Sequence, residues 1–198
     1  METLLSIDAF PGDKPLLACD FDGVLNLFPE PAGQFVRNAE PPAGAERRRV
    51  RTAHGEKYLI DFYPEIVAEL DEIVRSGVAE LGWLTTWGPN IRAVIEQAFD
   101  GKLSGGFVLK KQPPKFRGFR PADWKLTGLR DRVAVTGQPW VWLDDEVILA
   151  EKVTNPGFNE SSVGSAPGMF IIPDQAVGIT AEDIAAIWQF IETTRAAA

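Results

Sequence analysis

Asp20 and Asp22 stand two residues apart at the end of the apolar run Leu16-Leu17-Ala18-Cys19, and Gly23 follows them directly. A carboxylate can attack phosphorus and carry the phosphoryl group as an aspartyl-phosphate, which makes Asp20 the candidate nucleophile. If the chain turns back at this point, Asp22 faces the same site and suits acid–base work on the leaving and attacking oxygens. Phe21 then points away into packing, and Gly23 permits the turn. Thr85-Thr86, Lys125 and Asp144-Asp145 follow later in the chain. Asp144 and Asp145 are expected to hold Mg²⁺ together with Asp20 and Asp22. A hard cation suits oxygen ligands and offsets the repulsion between an anionic nucleophile and a phosphate dianion. Thr85, with Thr86 as the alternative hydroxyl, is expected to donate to a phosphoryl oxygen. Lys125 supplies positive charge at the transition state and holds the acids together. Lys110, Lys111 and Lys115 lie upstream in a loop as other sources of that charge. Asp145 is also placed to cap the helix that follows it, leaving Asp144 to the metal.

The rest of the composition narrows the chemistry. The chain has 198 residues, 45% of them hydrophobic, with a net charge of −8, one cysteine and one histidine. On a prior of about 150 residues per domain, residues 1–198 form one domain with some elaboration. The single Cys19 forms no internal disulfide, and with the single His54 it cannot complete a Cys/His zinc site. Cys19 reads as a buried core thiol and His54 as an exposed turn residue. No stretch approaches the roughly 18–20 apolar residues of a membrane span. Met1 to Asp13 carries acids and no basic start, so a secretory signal is not expected and a cytoplasmic location is. An acidic total argues against broad, nonspecific nucleic-acid binding. The run Arg47-Arg48-Arg49-Val50-Arg51, with Lys57, is either a solvated face or, folded over the site, a flap contacting phosphate or nucleic acid. Trp87 and Trp124, each next to a candidate site residue, are possible stacking surfaces.

These side chains need a scaffold that gathers strand ends. Pro15–Asp20, Val78–Thr85, Trp140–Leu143 and Met169–Ile172 read as strands, the first three buried, and Phe107–Leu109 as a weaker one. The segments Arg47–Ala53 and Glu56–Phe62 around His54-Gly55 predict a hairpin. Helical spacing follows Pro64 up to Gly77, runs from Gly88-Pro89-Asn90 to about Phe99, and follows Asp123 as N-cap. It follows Thr180 as N-cap again, with Ile184, Ile187, Trp188 and Ile191 on one face. Strands alternating with helices predict a parallel α/β sheet with right-handed crossovers. Ligands bind such sheets beyond the carboxyl ends of the strands, where Asp20, Thr85 and Asp144 all fall.

Asp20-Phe21-Asp22-Gly23-Val24-Leu25 resembles the first motif of the haloacid dehalogenase (HAD) superfamily. Thr85 is similar to its second-motif hydroxyl, Lys125 to its third-motif lysine, and Trp142-Leu143-Asp144-Asp145 to its fourth-motif acidic pair. Trp83-Leu84-Thr85-Thr86-Trp87, Trp124-Lys125 and Trp142 to Glu146 resemble more narrowly the HAD modules of bacterial multi-domain RNA-repair proteins. The Gly178-Ile179-Thr180 helix start and Trp188 are similar to that subgroup too. The resemblance implies a Rossmannoid fold and Mg²⁺-dependent phosphatase activity, with an acid two residues after the nucleophile as phosphatases have. It departs from many small-metabolite members in lacking a large helical cap. Only the insert over residues 26–62 follows the first motif, and a flap of that size leaves the site open. The expectation is a Mg²⁺-dependent phosphohydrolase acting on phosphorylated nucleic-acid ends or nucleotides. A small phosphometabolite is the rival substrate, and a HAD-fold module that binds metal or phosphate without turnover is the rival function.

Overall fold

The computed structural model describes residues 14–28, 40–113 and 121–197. The elements run β1 (Leu16–Cys19), β2 (Glu46–Arg51), β3 (Lys57–Phe62), α1 (Pro64–Arg75), β4 (Glu80–Trp83), α2 (Ile91–Gln97) and β5 (Phe107–Val108). They continue with α3 (Pro121–Thr136), β6 (Trp140–Leu143), α4 (Val147–Thr154), β7 (Gly168–Ile171) and α5 (Ala181–Ala196). Five strands form one parallel sheet in the order β5-β4-β1-β6-β7, and β2 and β3 form a separate antiparallel pair. The expected α/β architecture with a small β-hairpin insert is therefore present.

β1 is central and wholly buried because its alternate side chains enter two different cores. Leu17 and Cys19 join Val141, Leu143, Leu81 and Trp83 on one face, covered by α1, α2 and α5. Leu16 and Ala18 join Trp140 and Trp142 on the other, covered by Leu126, Leu129 and Val133 of α3 and by Ile148 of α4. A strand apolar on both faces is stable only between two helical layers, and this sequence supplies both. Trp140 lies opposite Gly168 across the ladder, and a Cβ on Gly168 would sit 2.1 Å from the indole ring. β7 accordingly begins at Gly168, one residue before the expected start.

The hairpin alternates in the same way. Val50, Ile60 and Phe62 turn inward to the core beside Phe99, while Arg49, Arg51, Lys57 and Leu59 are exposed. Thr52 and Glu56 close the loop, and His54 is exposed at its tip, as expected. The side chain of Gln97 brackets the Arg51 backbone through both its carbonyl and its amide, at 2.9 Å each, and fastens the hairpin to the end of α2.

Two boundaries differ from the sequence reading. α3 begins at Pro121, so Asp123 lies within the first helical turn instead of capping it. A proline at the first helical position has its φ preset and lacks an amide that would need a partner there. The helix expected from Gly88 begins as a 3₁₀ turn over Gly88–Asn90. Thr180 caps α5 as expected, within a capping box closed by Asp183. No helix among the described residues is long and apolar enough to cross a membrane.

Candidate active site

The ladders stop together. The amide of Asp20 donates to Leu143 O at 2.9 Å, that of Leu84 to Cys19 O at 2.8 Å, and that of Asp144 to Ile171 O at 3.2 Å. Beyond these bonds the chain leaves the sheet in loops, and the polar residues of three neighbouring strands meet in the space that opens.

Asp20 is buried, with Oδ1 accepting the Phe21 amide at 2.7 Å. Lys125 reaches over from α3, also buried, and its ammonium bridges Oδ2 of Asp20 and Oδ2 of Asp144, the latter at 2.8 Å. Oδ1 of Asp144 accepts the amides of Glu146 (3.1 Å) and Val147 (2.5 Å), so Asp144 satisfies the first amides of α4, whose cap position itself is Glu146. The sequence reading gave that task to Asp145. The turn after β6 decides otherwise, because it places Asp144 against the first free amides of the helix.

Asp145 lies against the turn of the first motif. Gly23 has φ +72°, and a Cβ there would sit 2.2 Å from Oδ2 of Asp145. Glycine is therefore required twice over, for its left-handed backbone and for the carboxylate beside it. Oxygens of Asp20, Asp144 and Asp145 lie within 4.8 Å of one another. Three convergent carboxylates, two of them bridged by one lysine, suit a hard divalent cation such as Mg²⁺.

Electrostatics express the same crowding. Burial, opposed by Lys125 and reinforced by Asp144, raises the Asp20 carboxyl to about 7. Burial and then the charge of Asp144 raise Asp145 to about 6. Lys125 is held above the ordinary lysine range because its two carboxylate partners outweigh its own desolvation. The Cys19 thiol is pushed well up by burial and then by Asp20, which agrees with an inert core thiol.

Asp22 sits in the turn that follows β1, where Phe21 packs against Trp87 and Phe99. Asp22 is not among the three clustered carboxylates. Its Oδ1 accepts the Asn26 amide group at 2.7 Å and its Oδ2 the Trp87 indole N–H at 2.9 Å. Burial raises its pKa, outweighing those two hydrogen bonds. Asn26 and Trp87 were not singled out as its partners. The available signals were the i, i+4 spacing of Asp22 and Asn26 across Gly23, and the place of Trp87 just after Thr85.

Thr85 is buried just past β4, and its Oγ1 accepts the Trp87 amide at 3.3 Å, while Thr86 is exposed. Lys110 pairs with Asp131 at 2.7 Å on the outer side of α3, which leaves Lys125 as the lysine at the carboxylates among the described residues. Lys115 lies outside the described residues. Trp124, on α3, is buried in the core and offers no stacking surface. In the Arg47–Arg51 run, Arg47 forms a two-pronged pair with Asp61, both bonds at 2.6 Å, and Arg48 pairs with Glu46 at 2.7 Å.

A family model described as the HAD domain in Swiss Army Knife RNA repair proteins matches residues 16–184. The chain belongs to this family. The match takes in the whole parallel sheet of this HAD domain, its hairpin and every candidate site residue. Among solved structures, 3-deoxy-D-manno-octulosonate 8-phosphate phosphatase from Moraxella catarrhalis, in complex with magnesium, phosphate and KDO, is similar at 16% identity. Its TM-score is 0.43, over 93% of this chain and 92% of that one. No curated protein matches.

Proposed function

We propose that this HAD domain is a Mg²⁺-dependent phosphohydrolase working through an aspartyl-phosphate on Asp20. The observation that carries the reading is the Lys125 ammonium bridging Asp20 and Asp144, with Asp145 alongside. In a merely structural cluster, gathering two buried carboxylates and a half-buried third beside one cation would cost free energy that no further partner returns. In a phosphoryl-transfer site the same arrangement is charge prepared in advance.

Asp20, Asp144 and Asp145 would hold Mg²⁺, which when bound supplies positive charge to the phosphoryl oxygens. A carboxylate oxygen of Asp20 forms a bond to phosphorus as the ester P–O bond breaks, and protonated Asp22 gives its proton to the departing oxygen. Ionised Asp22 then takes a proton from water, the water oxygen bonds to phosphorus, and the Asp20–phosphorus bond breaks to release inorganic phosphate. Lys125 holds Asp20 in line and offsets the charge that develops. Thr85, at the adjacent strand end, donates to a phosphoryl oxygen.

Two observations favour a phosphorylated nucleic-acid end or nucleotide as substrate. Arg49, Arg51 and Lys57 are exposed on one face of the hairpin, a cationic strip on the insert that follows the first motif. The family is also described from RNA repair proteins. The test is hydrolysis of p-nitrophenyl phosphate with Mg²⁺, with EDTA, and by Asp20→Asn. Turnover lost in both controls is expected, and undiminished turnover by folded Asp20→Asn would overturn the reading. A 3′- or 5′-phosphorylated oligonucleotide is expected to outcompete free sugar phosphates, and the reverse order would overturn the substrate assignment.

A further inference from the structure

Asp22 has two hydrogen-bond donors, and both lean on the hairpin. The Trp87 indole that donates to Oδ2 is held from two sides. Phe21 meets it edge-on, with centroids 5.3 Å apart and planes at 82°, and Tyr58 of β3 covers it at 4.7 Å and 57°. Asn26, which donates to Oδ1, accepts the backbone amide of Asp61 at 3.2 Å through its own carbonyl. The neighbouring Leu27 amide donates to Asp61 O at 2.8 Å, and the Asp61 side chain is clasped by Arg47. The strand that carries Tyr58 and Asp61 is thus connected to each oxygen of Asp22 through one intervening side chain.

We propose that Trp87 and Asn26 are positioning residues for Asp22, and that through them the β2–β3 hairpin sets the reach of that carboxylate toward the leaving oxygen. The inference rests on the phosphohydrolase reading and adds a task for the insert besides contacting substrate. A carboxylate on a turn has a free χ1 and a broad χ2. One donor on each oxygen restrains both torsions, and a proton donor is effective only within hydrogen-bond reach of the atom it serves. Trp87 has little other use for its N–H. Phe21 and Tyr58 hold the ring by contact alone, so a purely packing role would be served equally by phenylalanine.

The difference is readable in leaving-group dependence. p-Nitrophenolate departs as the anion and needs little help. Phenolate, with a conjugate acid near the pKa of a tyrosine side chain (about 10), departs poorly without a proton. The full chain is assayed on p-nitrophenyl and phenyl phosphate as wild type, Trp87→Phe, Tyr58→Leu and Asp22→Asn, with His54→Ala at the exposed hairpin tip as control. The ratio of the two kcat/KM values is expected to rise about tenfold in Trp87→Phe, by a smaller factor in Tyr58→Leu, and most in Asp22→Asn, where general acid catalysis worth about a hundredfold or more is removed. His54→Ala is expected to keep the wild-type ratio. Equal losses on both substrates in Trp87→Phe would reduce Trp87 to packing and overturn the proposal while leaving the phosphohydrolase reading intact. A wild type inactive on both substrates would overturn that reading and the proposal with it. If melting curves show Trp87→Phe unfolded, the exposed Tyr58→Leu decides by the same ratio.

Discussion

Removing the Lys125 ammonium would leave Asp20 and Asp144 facing each other with no cation of the described residues between them. Lys125→Met is therefore expected to lower kcat about a hundredfold or more, the scale of losing one charge-stabilising donor. It should also lower the melting temperature in EDTA more than in Mg²⁺, and equal melting temperatures in the two conditions would remove the bridge from the account. Gly23→Ala tests the neighbouring contact, since the new Cβ would collide with Asp145 and the backbone would be strained. A several-fold weaker Mg²⁺ requirement curve is expected, and an unchanged one would mean that Asp145 does not serve the metal. At this scale the sequence was readable where residue type and strand end coincide, as for Asp20 and Asp144. It was not readable where adjacent residues compete. Asp144 and Asp145 have the same chemistry, and only the path of the turn after β6 decides which one takes the first amides of α4. Asn26 and Trp87 were hidden for another reason, because an amide and an indole acquire meaning only once the turn and the hairpin bring them to Asp22.

Elements were more legible than their ends. Apolar runs mark the strands of the sheet and period-3.6 spacing marks α1, α2, α3 and α5, because burial on one or two faces leaves its mark on each residue. The ends depend on single contacts. β7 starts at Gly168 because the Trp140 ring occupies the space a side chain would need. Gly168→Ala is expected to destabilise the fold by about 1–3 kcal/mol or more, as overpacking does, read in denaturant titration. A neutral result would mean that β7 slides outward at little cost. The cap of α5 is a milder case. Thr180→Ala removes the acceptor for the Asp183 amide and should cost about 1 kcal/mol. Turnover should be untouched, because Thr180 contacts no residue of the site. A parallel loss of turnover and stability would show that α5 reaches the site in a way the described contacts do not include.

For the whole molecule, the crowded acids tie stability to pH and metal together. Asp20 and Asp145 have folded pKa values of about 7 and about 6, raised chiefly by burial, whereas an unfolded aspartate titrates near 4. Between those limits the folded chain binds more protons than the unfolded one, so this contribution makes metal-free stability fall as pH rises from about 4 to about 7, and it levels off above. Lys125 adds nothing to that slope, since its stabilisation is complete below the ordinary lysine range and is lost only well above it. In EDTA the melting temperature is expected to be higher near pH 5 than near pH 7.5. Mg²⁺ binds the folded, ionised form and should raise the melting temperature most at the higher pH. A rise in metal-free stability across that window would show that these carboxyls do not dominate the balance.

The place of β1 in the sheet has a temporal consequence. Its amides and carbonyls are bonded to strands on both sides, and its side chains lie in both cores. Such a strand opens only when the whole domain does, whereas the hairpin, a two-stranded pair with an exposed outer face, can fray on its own. Amide exchange at Leu17 to Asp20 should accordingly be as slow as global opening allows, and exchange in the hairpin much faster. The proposed nucleophile is then among the last groups to leave its place on heating, and the strand proposed to steady its proton donor is among the first.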